Sequence, residues 1–281
     1  MYKIVGKKEL NSSVIQMDIS APLVAKKAQP GQFVILRVDE KGERIPLTVA
    51  GYDREQGTVT VIFQTAGATT LQLSRLNVGD SLHDFVGPLG RATKTNGLKK
   101  VAVVAGGVGC AIAYPVARKL YEEGVQVHTV VGFRTKELVI LEEEMKECSS
   151  LYCLVTDDGS AGEKGFVTTA LEKLLADNED YDEVITVGPL VMMKAVCGLT
   201  KKYNVKTIAS MNPIMIDGTG MCGGCRLTVG GKTVFACVDG PEFDGHLIDF
   251  DEAISRASMY KGFEGKAREE SCNLLKTDTN A

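Results

Sequence analysis

The sequence has no basic field. Its 281 residues hold 32 Lys and Arg against 36 Asp and Glu, a formal net charge of −4. A nucleic-acid binder gathers positive charge to neutralise phosphates, so no nucleic-acid partner is expected. Long apolar runs are missing as well. None approaches the roughly 20 residues that a helix needs to span a bilayer. The N-terminal stretch MYKIVGKKELNSS lacks the apolar core of a secretory signal. Eight cysteines are too few for a disulfide scaffold at this length. There are no internal repeats and no low-complexity segments. The expectation is a soluble cytoplasmic protein with no membrane partner.

What is present divides by texture. Residues 1 to about 92 read as β: SSVIQMDIS, GQFVILRV and TVTVIFQ are short, β-branched and bounded by turn residues. Such spacing predicts a small antiparallel barrel, interrupted by one short helix over 70–76. Near residue 100 the pattern changes. KKVAVVAGG is a continuous apolar run, as expected for a parallel strand buried on both faces. AIAYPVARKLYEEG follows with helical spacing. Strand and helix then alternate through VQVHTVVG, KELVILEEEMKEC, LYCLVTDD, VTTALEKLLAD, DEVITVG, LVMMKAVCGLTKKY and VKTIAS. That order predicts an α/β parallel sheet with helices on both faces. After residue 211 come a glycine–cysteine loop and a hairpin, CRLTVGGKTVFAC, turning at Gly230 and Gly231. The tail beyond Tyr260 is polar and is expected at the surface. The expected domains are 1–97, 98–210 and 211–250, followed by a C-terminal helix and tail over 251–281.

Glycine-rich loops mark the carboxyl edge of the predicted sheet. GGVG (106–109) lies between its first strand and first helix, where free N–H groups and the helix dipole favour an anion. Taken alone, that turn equally suits tight βα packing. GFRT places Arg134 after the second strand, and TDDGSAGEKG follows the third. Three such loops on one edge suggest a nucleotide site. In the barrel, RIPLTVAGY opens with Arg44, and QTAGATTLQL puts Gly67, Thr69 and Thr70 at a helix start. An arginine and a helix N-terminus are two ways to hold a pyrophosphate. The bland alternative is a turn beside a surface arginine.

Five cysteines are scattered, at 110, 148, 153, 197 and 272, and read as buried or idle thiols. Three cluster, as Cys222, Cys225 and Cys237. Plant-type [2Fe–2S] proteins begin C-x₄-C-x₂-C and end with a distant cysteine. Counting back across four residues from Cys222 lands on Asp217, so a carboxylate occupies the first ligand position of DGTGMCGGC. A carboxylate is a harder ligand than a thiolate and alters a cluster's potential. Three alternatives stay open: Asp217 as a turn residue only, His246 completing a Cys₃His zinc site, or Cys272 folding back. Met221 reads as a packing neighbour, and His83 and His128 as structural residues in apolar strands.

RIPLT, GATTL, GPLG (87–90), GGVG, GFRT, TDDGS, VGPLVMM and the cysteine loop form an ordered series. Together they resemble the ferredoxin–NADP reductase superfamily, in its iron–sulfur flavoprotein branch with the dihydroorotate dehydrogenase electron-transfer subunits. The resemblance spans residues 1 to about 250. It implies a multi-domain chain: an antiparallel β-barrel binding FAD, an α/β domain binding NAD(H) or NADP(H), and a small C-terminal [2Fe–2S] domain. By position, Arg44 would contact the FAD diphosphate. Pro46, Leu47 and Thr48 would line the isoalloxazine, with the Thr48 hydroxyl near N5 as the one catalytic group. Gly67, Thr69 and Thr70 would cradle the FAD pyrophosphate. Gly107 and Gly109 would hold the nicotinamide nucleotide's pyrophosphate, and Arg134, Asp157 and Gly159 its ribose or adenine end. Asp217, Cys222, Cys225 and Cys237 would hold the cluster.

Two departures stand out. Ile112 occupies the place where many relatives have proline, and Val187 precedes Gly188 where many have the cysteine near the nicotinamide. The dihydroorotate dehydrogenase subunits carry cysteine as first cluster ligand. Aspartate there, with VGPLVMM, is similar to the small subunits of NADH-dependent reduced ferredoxin:NADP⁺ oxidoreductases, which are electron-bifurcating heterodimers. That resemblance implies a converter: nicotinamide delivers two electrons, flavin releases them singly, and the cluster passes them on. No acid–base or nucleophilic constellation suits another small substrate, so electrons would leave to a larger flavoprotein subunit, and through it to ferredoxin. The alternatives are the dihydroorotate dehydrogenase subunit itself, or a non-catalytic redox-sensing or zinc-bound module.

Overall fold

Short β-branched segments pair into the first of two large sheets. The computed structural model describes residues 2–177, 180–267 and 269. Strands β1 (Tyr2–Glu9), β2 (Val14–Ser20), β3 (Phe33–Arg37), β4 (Ile45–Asp53), β5 (Thr58–Gln64), β6 (Ser81–Leu82) and β7 (Asp84–Leu89) form a seven-stranded antiparallel sheet. Its order is β6-β1-β2-β5-β4-β3-β7. The two outermost strands are thus consecutive in the chain, separated by His83 alone, so the sheet curls into a nearly closed barrel. The His83 N–H donates to the carbonyls of Arg37 and Val38 at 3.1 and 3.2 Å and fixes the seam. His83 is therefore an exposed surface residue beside Asp84, not an apolar-strand histidine. Ile4, Met17, Val34, Leu36, Phe63 and Phe85 fill the interior. Helix α1 (Pro22–Ala25) follows β2, and α2 (Ala68–Arg75) follows β5, two residues earlier than predicted.

The second sheet forms from β8 (Lys100–Gly106), β9 (Gln126–Phe133), β10 (Leu151–Thr156), β11 (Glu163–Lys164), β12 (Glu183–Val187) and β13 (Thr207–Ser210). All of these pair in parallel, and β8 is buried at nearly every position, as its unbroken apolar run requires. Helices α3 (Gly109–Glu122) and α4 (Glu142–Glu147) cover one face, α5 (Val167–Ala176) and α6 (Leu190–Lys202) the other. The predicted helix over KELVILEEEMKEC is broken. A 3₁₀ turn (Lys136–Leu138) precedes α4, and Leu141 between them has left-handed backbone at φ 55°. Its side chain is buried in the core, so packing outweighs a backbone cost of about 1 kcal/mol. The strand order β11-β10-β9-β8-β12-β13 reverses direction between β8 and β12, which opens a crevice at their carboxyl ends.

Beyond β13 the chain forms the predicted hairpin, β14 (Arg226–Val229) and β15 (Lys232–Phe235), with left-handed glycines at 230 and 231. Then come α7 (Ala236–Asp239), β16 (Glu242–Asp244) and α8 (Phe250–Ser258). Strand β16 joins the edge of the parallel sheet, antiparallel to β13. A third core unites the parts: Phe33 and Ile35 from the barrel, Met193 and Cys197 from α6, Ala209 from β13, and Cys225, Leu227 and Cys237 from the cysteine segment. No helix among the described residues is long and apolar enough to cross a membrane. Cys272 and the end of the predicted surface tail lie outside the described residues.

The connector from β7 to β8 is stitched to the cysteine segment. Arg91 N–H donates to Gly240 O at 2.7 Å, its Nε to Val238 O at 3.1 Å, and Thr93 Oγ1 to Glu242 Oε1 at 2.7 Å. Burial pushes the Glu242 carboxyl up to about 7; the Thr93 bond opposes this and the charge of Glu183 adds to it. Glu183 is itself buried and paired with Lys206. Because the folded-state value lies above the ordinary 4.5, this stabilisation is complete below about pH 4.5 and lost as pH rises through about 7. Glu242→Gln cannot ionise. Near pH 8 it should unfold at higher temperature than the parent, by the equivalent of roughly 2 kcal/mol for a half-buried residue. Most of the gap should close by about pH 5, as read by thermal unfolding across that range.

Candidate functional site

Three groups of loops carry the residues singled out in the sequence. The first belongs to the barrel. Arg44 directly precedes β4, and Pro46, Leu47 and Thr48 are half-buried within it. Pairing with β3 sets their faces: Thr48 stands opposite Phe33, Leu47 opposite Val34, and Pro46 opposite Ile35. Phe33 and Ile35 belong to the third core, Val34 to the barrel interior. Pro46 and Thr48 therefore share the outer face toward the cysteine segment, while the Leu47 side chain packs into the barrel. Only the Leu47 backbone remains for a ligand on that face.

Gly67 is the N-cap of α2, and Thr70 closes the turn. The Thr70 hydroxyl accepts from the N–H groups of Ala66 and Gly67 at 3.0 Å and donates to Gly67 O. The space a Gly67 side chain would fill is open. An eight-residue helix thus starts over free room, the setting in which its dipole favours an anion. Thr69 is buried and donates its hydroxyl to Glu43 Oε2 at 2.8 Å. Glu43 was not singled out in the sequence; its place beside GATTL follows only from the fold. The chemistry suits a diphosphate once the carboxylate yields its place.

The second group lies along the carboxyl edge of the parallel sheet. Gly107 has φ 54° and open space above it, and its N–H donates to Gly132 O at 2.9 Å. Gly109 starts α3 in direct contact with the turn after β12, where a β-carbon would stand 2.6 Å from Val187 O. Arg134 is exposed after β9, and its carbonyl accepts from Asp158 N–H at 3.4 Å. Asp157 N–H likewise donates to Phe133 O at 3.0 Å. The structure therefore brings Gly107, Gly109, Arg134, Asp157 and Gly159 to one edge, as the glycine spacing predicted. Met192 was not predicted as part of it. Its thioether occupies the room left by the missing side chains of Gly106 and Gly188. The signal was Met192 in VGPLVMM, one turn into α6.

The third group is the cysteine loop. Cys225 and Cys237 are buried and Cys222 is exposed. A backbone N–H reaches each sulfur: Gly224 to Cys222 Sγ at 3.5 Å, Cys237 to Cys225 Sγ at 3.4 Å, and Gly220 to the Cys237 thiol. Burial, then the Cys225 thiol, push Cys237 up to about 12. The Asp217 carboxylate accepts from Thr219 N–H at 2.9 Å, Met221 N–H at 3.1 Å and Cys222 N–H at 2.8 Å. The Thr219 bond first, then burial in opposition, then the Cys222 bond set its pKa, which lies at about 2. As placed, no three His, Cys, Asp or Glu side chains among the described residues form an ion-sized cage. Three sulfurs with N–H donors, inside a glycine loop, are nevertheless the donor set and outer shell that a thiolate-held cluster requires. His246 is committed elsewhere, with Nε2 3.0 Å from Thr200 Oγ1, which disfavours the zinc alternative. Met221 is 88% exposed, contrary to the expectation of a packing neighbour.

The oxidoreductase NAD-binding domain family matches residues 103–198, and the iron–sulfur cluster binding domain family of dihydroorotate dehydrogenase B matches residues 212–249. A Thermotoga maritima homologue of the dihydroorotate dehydrogenase B (NAD⁺) electron transfer subunit is 47% identical, over 93% of this chain and 92% of its own. A chain of an NADH-dependent reduced ferredoxin–NADP oxidoreductase, solved in a study of flavin-based electron bifurcation, is 43% identical. It superposes with a TM-score of 0.91 over 96% of this chain and 97% of its own. A ferredoxin reductase of carbazole 1,9a-dioxygenase, 19% identical, shares the fold with a TM-score of 0.64 over 73% of this chain and 65% of its own.

Gly109→Ala should drive a β-carbon against the Val187 carbonyl, a backbone atom that cannot rotate away. The cost should be about 1–3 kcal/mol by thermal unfolding. Titration with NADH should show weaker binding than in the parent.

Proposed function

Because the chain belongs to the dihydroorotate dehydrogenase B electron-transfer subunit family, with a ferredoxin reductase-like fold, we propose that it is the small subunit of an electron-bifurcating NADH-dependent reduced ferredoxin:NADP⁺ oxidoreductase. The observation that carries this reading is the full-length match to that enzyme's structure. Aspartate at the first cluster position and Val187 before Gly188 favour the same reading over the dihydroorotate dehydrogenase subunit, which the names of other relatives favour.

When bound, FAD would supply hydride exchange with NAD(H), and a [2Fe–2S] cluster would supply single-electron transfer. The chain's own residues bind and orient. The α2 start, with Gly67, Thr69, Thr70 and Arg44, holds the flavin diphosphate. Pro46 and Thr48 present one face of β4 to the ring. Gly107 and Gly109 receive the nicotinamide nucleotide's pyrophosphate, with Arg134, Asp157 and Gly159 beside its far end. Cys222, Cys225, Cys237 and Asp217 hold the cluster. From the cluster the electrons pass to a larger subunit, where ferredoxin and NADP(H) react. Ile214, Ile216, Met221 and Val238 are exposed apolar side chains on the cysteine segment, which suits contact with such a partner.

Purified with its partner, the protein should show a flavin and iron–sulfur spectrum that bleaches with NADH. A colourless, zinc-containing protein would sink the reading. Asp217→Cys should retain iron yet alter both the EPR signal and the midpoint potential of the cluster. Unchanged values would remove Asp217 from the ligand set.

A further inference from the structure

Arg44 reaches across the molecule. Its Nε donates to the carbonyl of Ile216 at 2.8 Å, 172 residues along the chain. That carbonyl belongs to the peptide joining Ile216 to Asp217. A second contact fixes the same loop to the barrel. Gly218 lies so close to Leu89 and Ile35 that a β-carbon would stand 2.6 and 2.9 Å from their methyl groups. Ile35 pairs in turn with Pro46 on the outer face of β4. One side chain therefore separates the strand that presents the flavin from the loop that presents Asp217, and Arg44 spans the same gap with a hydrogen bond.

Guanidinium is suited to two partners at once, because its five N–H donors point in different directions. In Arg44, Nε serves the cysteine loop. Nη1 lies 3.7 Å from Asp84 Oδ2, beyond hydrogen-bond length, and Asp84 is already held by Arg37 at 2.8 Å. The Nη edge is thus weakly committed.

We propose that Arg44 is a positioning residue that couples the flavin site to the cluster loop. Its Nε holds the Ile216 carbonyl while its Nη edge serves the flavin diphosphate. Filling the flavin site then fixes the guanidinium, and the guanidinium fixes the peptide next to Asp217. This goes beyond diphosphate binding, and it rests on the flavin and cluster assignment proposed above.

The test uses the full chain with its partner subunit, reduced by dithionite, with and without added FAD. In the parent, removing FAD should shift the EPR g-values of the cluster. In Arg44→Gln, the spectrum should differ from that of the flavin-loaded parent and should not respond to FAD, even at saturation. FAD affinity in that variant should fall about tenfold or more with the loss of a charge-assisted bond. Arg44→Lys keeps the charge but has no fork, so it should recover FAD affinity in part and leave the EPR response absent. Gly218→Ala, with Arg44 intact, should alter the spectrum by lifting the same loop. If the parent's cluster is indifferent to FAD, or Arg44→Gln at saturating FAD matches the parent, the coupling does not exist. A parent that binds neither flavin nor iron would refute the functional reading instead. Should Arg44→Gln fail to fold, the parent's FAD response and Arg44→Lys still decide the question.

Discussion

One buried cluster of side chains holds the molecule in its working arrangement. Phe33 and Ile35 come from the barrel, Met193 and Ala209 from the α/β domain, and Cys225, Leu227 and Cys237 from the cysteine segment. None of the three parts completes this core alone. The cysteine segment is the most dependent, since its own sheet is a two-stranded hairpin, which is at best marginally stable by itself. Its loop geometry is borrowed from its neighbours. Arg44 and the Ile35–Leu89 surface hold one end, and the connector around Arg91 and Thr93 holds the other.

That arrangement answers two opposed demands. Nucleotide exchange needs an accessible edge, which the turns after β8, β9 and β10 supply at the sheet's exposed carboxyl ends. Single-electron relay needs fixed neighbours and little water. Cys225 and Cys237 are accordingly buried, and only Cys222 faces outward. Glycine serves both demands by different means. Gly107 leaves room for a ligand, while Gly109 and Gly218 let backbone pack against a neighbour with nothing between.

Much of this was legible in the sequence where one physical cause dominates. Continuous apolar runs fixed the parallel strands, because both faces are buried. Paired glycines fixed the hairpin at 230–231, because its turn needs positive φ. Gly107 and Gly159 likewise have positive φ, as turns after buried strands often require. The residues missed are those whose role is decided by distant partners. Leu141 adopts a left-handed conformation only because the core holds its side chain, so the break before α4 had no local signal. The inward turn of Leu47 follows from its register with Val34. The exposure of Met221 and His83 follows from loop and seam geometry. Asp217 carried both of its sequence readings into the structure. It is a turn residue bonded to three N–H groups, and it stands in the cysteine loop at the position that the spacing marks.

The short strand β16 ties the cysteine segment into the nucleotide domain's sheet. It covers the open side of β13, a row of backbone groups that would otherwise invite pairing with another molecule. Those three residues lie near the end of the sequence. The parallel sheet therefore has its β13 edge closed only when the cysteine segment is in place.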